Sequence, residues 1–231
     1  MFVGHYSAAL AAKAIEPRAP LWTLVAGAQL IDIGWAALVM AGVEKVRIDP
    51  SLPGSALDLH HMPWTHSLPA VIVWSLAAMA LCRVVLKLGW RPSVVVGLVV
   101  ASHWALDFLV HRPDLLLWFG GEKVGLGWWN YPVPEQALEI GLLALGAMAW
   151  AWTRGRDRAG VWPALTLVAG LVALQILAMF MPPNEDTFQF GLSALIVYLV
   201  VTALAWVLDR GAPASGPRAA RRPRGRATRP R

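Results

Sequence analysis

"PSVVVGLVVASHWALDFLVHRPD", residues 92–114, opens as an unbroken apolar run and closes with three polar residues at intervals of four. Its length decides the fold class. A helix rises about 1.5 Å per residue, so about 20 apolar residues cross the roughly 30 Å hydrocarbon core of a bilayer. The run therefore predicts a membrane-crossing helix over 92–112. At about 100° per residue, His103 and Asp107 lie about 40° apart and His111 about 80° from His103, so all three share one face. Ionisable groups at membrane depth cost several kcal/mol each unless they pair, line a cavity or bind an ion.

The rest of the chain agrees with a lipid solvent. Of 231 residues, 57% are hydrophobic and only 15% charged, against about 25% charged in a soluble domain. Thirteen Trp against three Tyr fit helices that end at membrane interfaces. Five more stretches are long and apolar enough to span: about 20–43, 66–88, 134–153, 160–181 and 187–208. Segment 3–16 is too short. It reads as a half-membrane helix ended by Pro17 and Pro20. The expected fold is an all-α polytopic bundle of about six transmembrane helices plus that short helix. Residues 1–209 form the membrane domain. Residues 210–231, rich in Arg, Pro, Gly and Ala, form a disordered basic tail. The single Cys82 excludes an intrachain disulfide and any cysteine-rich zinc module. No basic region precedes the apolar start, so the N-terminus is expected to be retained.

Charge gives the orientation. With the tail inside, cytoplasmic segments hold sixteen of the twenty Lys and Arg residues, and only Lys45, Arg47, Arg112 and Lys123 lie outside. This asymmetry predicts cytoplasmic N and C termini in a multi-pass inner (cytoplasmic) membrane protein. The expected partners are membrane lipid and, for the tail, anionic headgroups, with no specific nucleic acid. The long outer loops, 44–65 and 113–133, exceed what connection requires. The oligomeric state stays open.

The polar residues at depth are His5, Asp32, His66, His103, Asp107, His111, Glu135 and Glu139. His103 and Asp107, one turn apart, suit either a shared cation or a mutual hydrogen bond. Counted at 1.5 Å per residue, Asp32 and His103 each lie about 18 Å from the cytoplasmic end, Asp107 about 24 Å and His66 about 26 Å. The mismatch between Asp32 and His66 asks for tilt, or for a break at Gly34. Thr65 is expected to cap the helix that follows, with His66 in its first turn. His60 is expected in solvent and His61 behind the site. The helix dipole alone accounts for Glu135, whereas Glu139 lies a turn deeper.

"GHY" at 4–6, "LIDI" at 30–33, "THSL" at 65–68 and "SHWALD" at 102–107 fall in order, and the set resembles the YdjM-type inner-membrane family of metal-dependent hydrolases. The resemblance covers about residues 1–140 and implies His5, Asp32, His66, His103 and Asp107 as metal ligands. Glu139, in "QALE", resembles a Glu that follows in some members. The order is similar, too, to zinc-dependent phospholipase C and the trinuclear-zinc nucleases, which implies zinc, with manganese the alternative. Two departures stand out: Gly34 replaces the second Asp of a "PDID" pattern, and Met62 replaces an Arg before "THS".

Three functions follow. In a membrane metal-dependent hydrolase acting on a phosphoester of a lipid or lipid-linked substrate, Glu139 would act as base. His111 would serve as a further ligand or proton donor, and Arg112 or Lys123 would hold an anionic headgroup. In a transporter the His/Asp cluster would be an ion or proton path. In a scaffold the same cluster would be helix glue.

Overall fold

The structure is a computed structural model that describes residues 1–156, 161–182 and 184–210. The expected tail disorder and its lipid contacts fall at 211–231, outside the described residues. A short 3-10 turn, Val3–His5, leads into α1 (Tyr6–Ile15). Then come α2 (Leu21–Ala28), α3 (Leu30–Met40), β1 (Lys45–Ile48) and β2 (Leu57–His61). After them run α4 (Leu68–Val84), α5 (Trp90–Val110), β3 (Leu115–Leu116) and β4 (Lys123–Val124). A second 3-10 turn, Trp128–Asn130, precedes α6 (Pro132–Arg156), α7 (Trp162–Phe180) and α8 (Thr187–Arg210).

Proline marks the starts of four of the eight described helices. Pro69, Pro92, Pro132 and Pro163 all stand in the first turn of a helix, where a missing N–H costs nothing. Ser67, not Thr65, caps α4: its hydroxyl accepts from the Ala70 N–H at 3.2 Å and donates to the Pro63 carbonyl at 2.7 Å.

Helices fill every predicted stretch, but their dimensions correct the expected count of spans. Among the described residues three helices are long and apolar enough to cross a membrane: Trp90–Val110, Trp162–Phe180 and Thr187–Asp209. The α2–α3 pair makes a fourth if it counts as one span bent by 51°. Helix α4 has 17 residues and rises about 25 Å, just short of the core. Helix α6 is long enough at 25 residues but carries Glu135, Gln136 and Glu139 in its first two turns. The break that reconciles the depths of Asp32 and His66 lies at Gln29, and Gly34 continues inside α3. Ile72, Val73 and Leu76 on α4, Leu145 and Met148 on α6, and Ile176 and Leu177 on α7 are exposed, as a lipid-facing belt requires.

The all-α expectation also needs amendment, since two small antiparallel hairpins cap one end of the bundle. In the first, β1 pairs with β2, burying Val46 and Ile48 while Lys45 and Arg47 face out. In the second, β3 pairs with β4. Under this cap Val46, Ile48, Leu59, Met62, Val110, Leu115 and Trp129 form an apolar cluster with Trp35 and Val39. Met62, where the family pattern has Arg, is thus a buried part of the roof. Arg112 stitches the cap together. Its Nε donates to Asn130 at 3.0 Å, and its two terminal nitrogens donate to the carbonyls of Leu57, Pro53 and Ser55. Those bonds occupy the guanidinium that was expected to hold a headgroup, and the Lys123 ammonium donates to the His60 carbonyl at 3.0 Å.

A second apolar cluster, drawn from all eight helices, fills the other end. There Lys13 donates to Asp209 at 3.1 Å, and the other Asp209 oxygen accepts from the Leu21 N–H at 2.8 Å. Between the clusters α1 lies against α6 at Gly146, where a Cβ would stand 2.5 Å from the Ser7 carbonyl oxygen.

Candidate metal centre

The site forms where the two apolar clusters meet. Asp32, His66, His111 and His5 come from points where regular structure starts, stops or bends, and His103 and Asp107 from the body of a helix. Asp32 stands in the first turn of α3, just past the Gln29 bend. His66 precedes the Ser67 cap of α4. His103 and Asp107 lie on the buried face of α5, and His111 ends that helix, its N–H closing on the Asp107 carbonyl at 2.8 Å. His5 sits in the 3-10 turn before α1.

Four atoms converge in a ring. His66 Nε2 lies 3.4 Å from Asp32 Oδ1 and 3.5 Å from Asp107 Oδ2. His103 Nε2 lies 3.5 Å from Asp32 Oδ1 and 3.1 Å from Asp107 Oδ2. A tetrahedral zinc site with ligand bonds of about 2.0–2.1 Å has ligand–ligand edges of about 3.3 Å. These four edges lie close to that figure, and Asp32, His66 and His103 by themselves form a triad able to hold an ion.

The other ring nitrogens set the electronics. His103 Nδ1 is 2.9 Å from the Ala28 carbonyl oxygen. A carbonyl only accepts, so Nδ1 carries the proton and Nε2 presents a lone pair to the ring. His103 Nε2 and Asp107 Oδ2 are buried and, among the described residues, have no hydrogen-bond partner. Acceptors facing acceptors in a buried cluster repel, and a bound cation would reconcile them. The donor set of two imidazoles and two carboxylates is one that could hold a metal ion.

Asp107 faces a second group with its other oxygen. Oδ1 accepts from the Met1 α-amino group at 2.9 Å and lies 3.0 Å from His5 Nε2 and 3.3 Å from His111 Nε2. The His5 contact is close but not aligned as a hydrogen bond, and the His5 ring stacks on His103 at 3.7 Å. His5, His103 and Asp107 therefore make a second triad able to hold an ion, overlapping the first triad of Asp32, His66 and His103. His111 Nδ1 donates to Asp114 at 2.8 Å. Asp114 in turn lines a cavity of about 320 Å³ beside the hairpins, with Arg47, Asp58, His60 and Lys123 around it.

The expected residues thus divide. Asp32, His66, His103 and Asp107 form the ring, His5 abuts it, and His111 bridges it to the cap. Glu139 is buried beside the site, and its carboxylate accepts from the backbone N–H groups of Phe2 and Gly4, each at 2.9 Å. It holds the turn that carries His5. His60 and His61 are both exposed on β2, so His61 stands behind nothing. A Cβ on Gly34 would meet the Trp74 ring at 3.0 Å, so that indole occupies the room a second Asp would need.

The sequence reading missed four supports. Glu44 accepts from the N–H groups of Trp64 and Thr65 and from the Thr65 hydroxyl. Tyr198 donates to Asp32 Oδ2 at 3.4 Å, and Gln29 donates to the Phe2 carbonyl at 3.0 Å. Asp114 was within reach of inspection, since it follows His111 by three. Glu44 and Tyr198 lie far from their partners in sequence and carry no local signal.

A model of the YdjM inner membrane protein family matches residues 1–207, nearly the whole described chain. No curated protein and no solved structure matches.

Proposed function

The chain belongs to the YdjM inner membrane protein family, and on that premise we propose that it is a membrane-embedded metal-dependent hydrolase acting on a phosphoester of a lipid or lipid-linked substrate. The observation that carries this reading is the ring of Asp32 Oδ1, His66 Nε2, His103 Nε2 and Asp107 Oδ2, with edges of 3.1–3.5 Å. Those four residues would hold the ion, zinc or alternatively manganese. When bound, it supplies Lewis-acid polarisation of a phosphoryl oxygen and acidifies the attacking water.

The chain's own residues do the rest. The Ala28 carbonyl keeps the His103 lone pair aimed at the ring. His111, with Nδ1 committed to Asp114, is the group placed to pass a proton to the leaving oxygen. Glu139 acts through the N-terminal turn by fixing His5. Burial of His66, His103 and Asp107 excludes bulk water, and the Asp32 side chain, 13% exposed, is the most open ring member. A substrate delivered from the bilayer fits a site walled by lipid-facing helices. The hairpin cap, with few Lys and Arg, faces away from the cytoplasm in this reading.

The test is metal analysis of the purified protein beside Asp107→Ala and His103→Ala. Wild type is expected to carry stoichiometric zinc or manganese, both variants little, and wild type alone to cleave phosphodiester and phosphomonoester lipid analogues. A metal-free wild type that cannot be loaded sinks the reading.

A further inference from the structure

We infer that Glu44 and Thr65 form a proton-ordering relay that fixes the tautomer of His66 and thereby makes it a metal ligand. The inference deepens the metal-site reading above and rests on it for its purpose, but its geometry stands alone. Glu44 is 1% exposed, a costly place for a carboxylate unless its oxygens are filled. Oε1 accepts from the N–H groups of Trp64 at 2.8 Å and Thr65 at 3.0 Å. Oε2 lies 2.6 Å from the Thr65 hydroxyl, which lies 2.8 Å from His66 Nδ1.

A hydroxyl has one hydrogen and two lone pairs. The carboxylate only accepts, so it takes the Thr65 hydrogen. The Thr65 oxygen must then accept, which requires the proton of His66 on Nδ1. His66 Nε2 is left with its lone pair, aimed at Asp32 and Asp107. The direction of every hydrogen in the chain follows from the charge on Glu44. His103 is set the same way by a backbone carbonyl, and His111 by Asp114. For His66 the control lies one residue further back, in a side chain 21 or 22 positions away. Glu44 and Thr65 are positioning residues, since neither reaches the ring.

The relay has a reversible sign, and that makes it testable. In Glu44→Gln the amide oxygen takes over the two backbone N–H groups, and the amide NH₂ falls where Oε2 was. It donates to the Thr65 oxygen, so the Thr65 hydrogen swings to His66 Nδ1. The proton of His66 moves to Nε2 and blocks the ligand position, with the shape of the site unchanged.

The experiment compares wild type, Glu44→Gln and Thr65→Ser by ¹⁵N-histidine NMR of the metal-free protein at mildly alkaline pH and by Zn²⁺ and Co²⁺ titration. His66 is assigned by its loss in His66→Ala. The expected result is an Nδ1–H tautomer in wild type and Thr65→Ser and an Nε2–H tautomer in Glu44→Gln. Metal affinity should fall about 10–100-fold in Glu44→Gln alone. A Glu44→Gln protein with the wild-type tautomer and affinity overturns the relay, as does a Thr65→Ser protein that behaves like Glu44→Gln. Should Glu44→Gln not fold, Thr65→Val carries the test, because it cuts the chain without reversing it. A tautomer mixture with weakened binding is then expected, and an unchanged tautomer overturns the proposal. A wild type that binds no metal defeats the hydrolase reading, while the tautomer comparison still decides the relay.

Discussion

At the residue scale the site is governed by which nitrogen of each imidazole is already spoken for. The His111–Asp114 pair is the one exposed to a clean test. Asp114→Asn keeps the shape but weakens the acceptor behind His111 Nδ1. It should slow turnover about 10-fold or more with metal content unchanged, read as a fall in kcat rather than a rise in KM. Equal metal loss would place Asp114 in binding instead. The five implied ligands were legible in the sequence because each sits in a short motif: helical spacing linked His103 to Asp107, and motif order linked those to His5, Asp32 and His66. The supports were not legible. Glu44 meets its partners across a hairpin, and Tyr198 meets Asp32 across 166 positions. Nothing local distinguishes such residues from a loop acid and a bundle aromatic.

At the element scale, apolar length found every helix, whereas their ends depended on groups that length does not report. The Gln29 bend is the clearest case: residues 20–43 read as one span because the apolar run is continuous, and the break expected at Gly34 falls at Gln29 instead. The sequence placed the α4 cap at Thr65, and the backbone geometry moves it to Ser67. Ser67→Ala should therefore cost about 1 kcal/mol, measured by thermal unfolding in detergent. The α1–α6 contact makes a larger prediction. Gly146→Val would press a branched side chain onto the Ser7 backbone and should destabilise by about 1–3 kcal/mol. Because α1 carries the His5 turn, it should also lower metal occupancy, and a Gly146→Val protein with unaltered occupancy would uncouple that helix from the site. The cap hairpins were foreshadowed only by loop length; strands of two to five residues leave too short an alternation to recognise.

At the scale of the whole molecule, the ring joins α3, α5 and the turn before α4, and His5 adds the N-terminal segment. A ligand that binds only the folded arrangement stabilises it by RT ln(1 + [L]/Kd), about 2.7 kcal/mol at a hundredfold excess over Kd. Chelation should thus lower the unfolding temperature of the wild type and leave that of His103→Ala unmoved. Orientation has its own measurement. Trp118 and Phe119 are exposed in the turn between β3 and β4. A single cysteine at Phe119, in a Cys82→Ser background, should react with a membrane-impermeant thiol reagent from the periplasmic side of intact cells. Labelling only after permeabilisation would invert the orientation.

The bend at Gln29 has a mechanical meaning. In a continuous helix the Ala28 carbonyl would lie along the axis toward the Asp32 N–H. Here the chain turns by 51° at that point and the carbonyl reaches sideways to His103. The hydrogen bond that orients His103 therefore sits at the joint between the two helices. The joint behaves as a lever whose short arm is one hydrogen bond and whose long arms are two helices. Whatever tightens or frees His103 should appear at the tips of α2 and α3 as a change in distance, and paired spin labels near Leu21 and Met40 would read the state of the centre from well outside it.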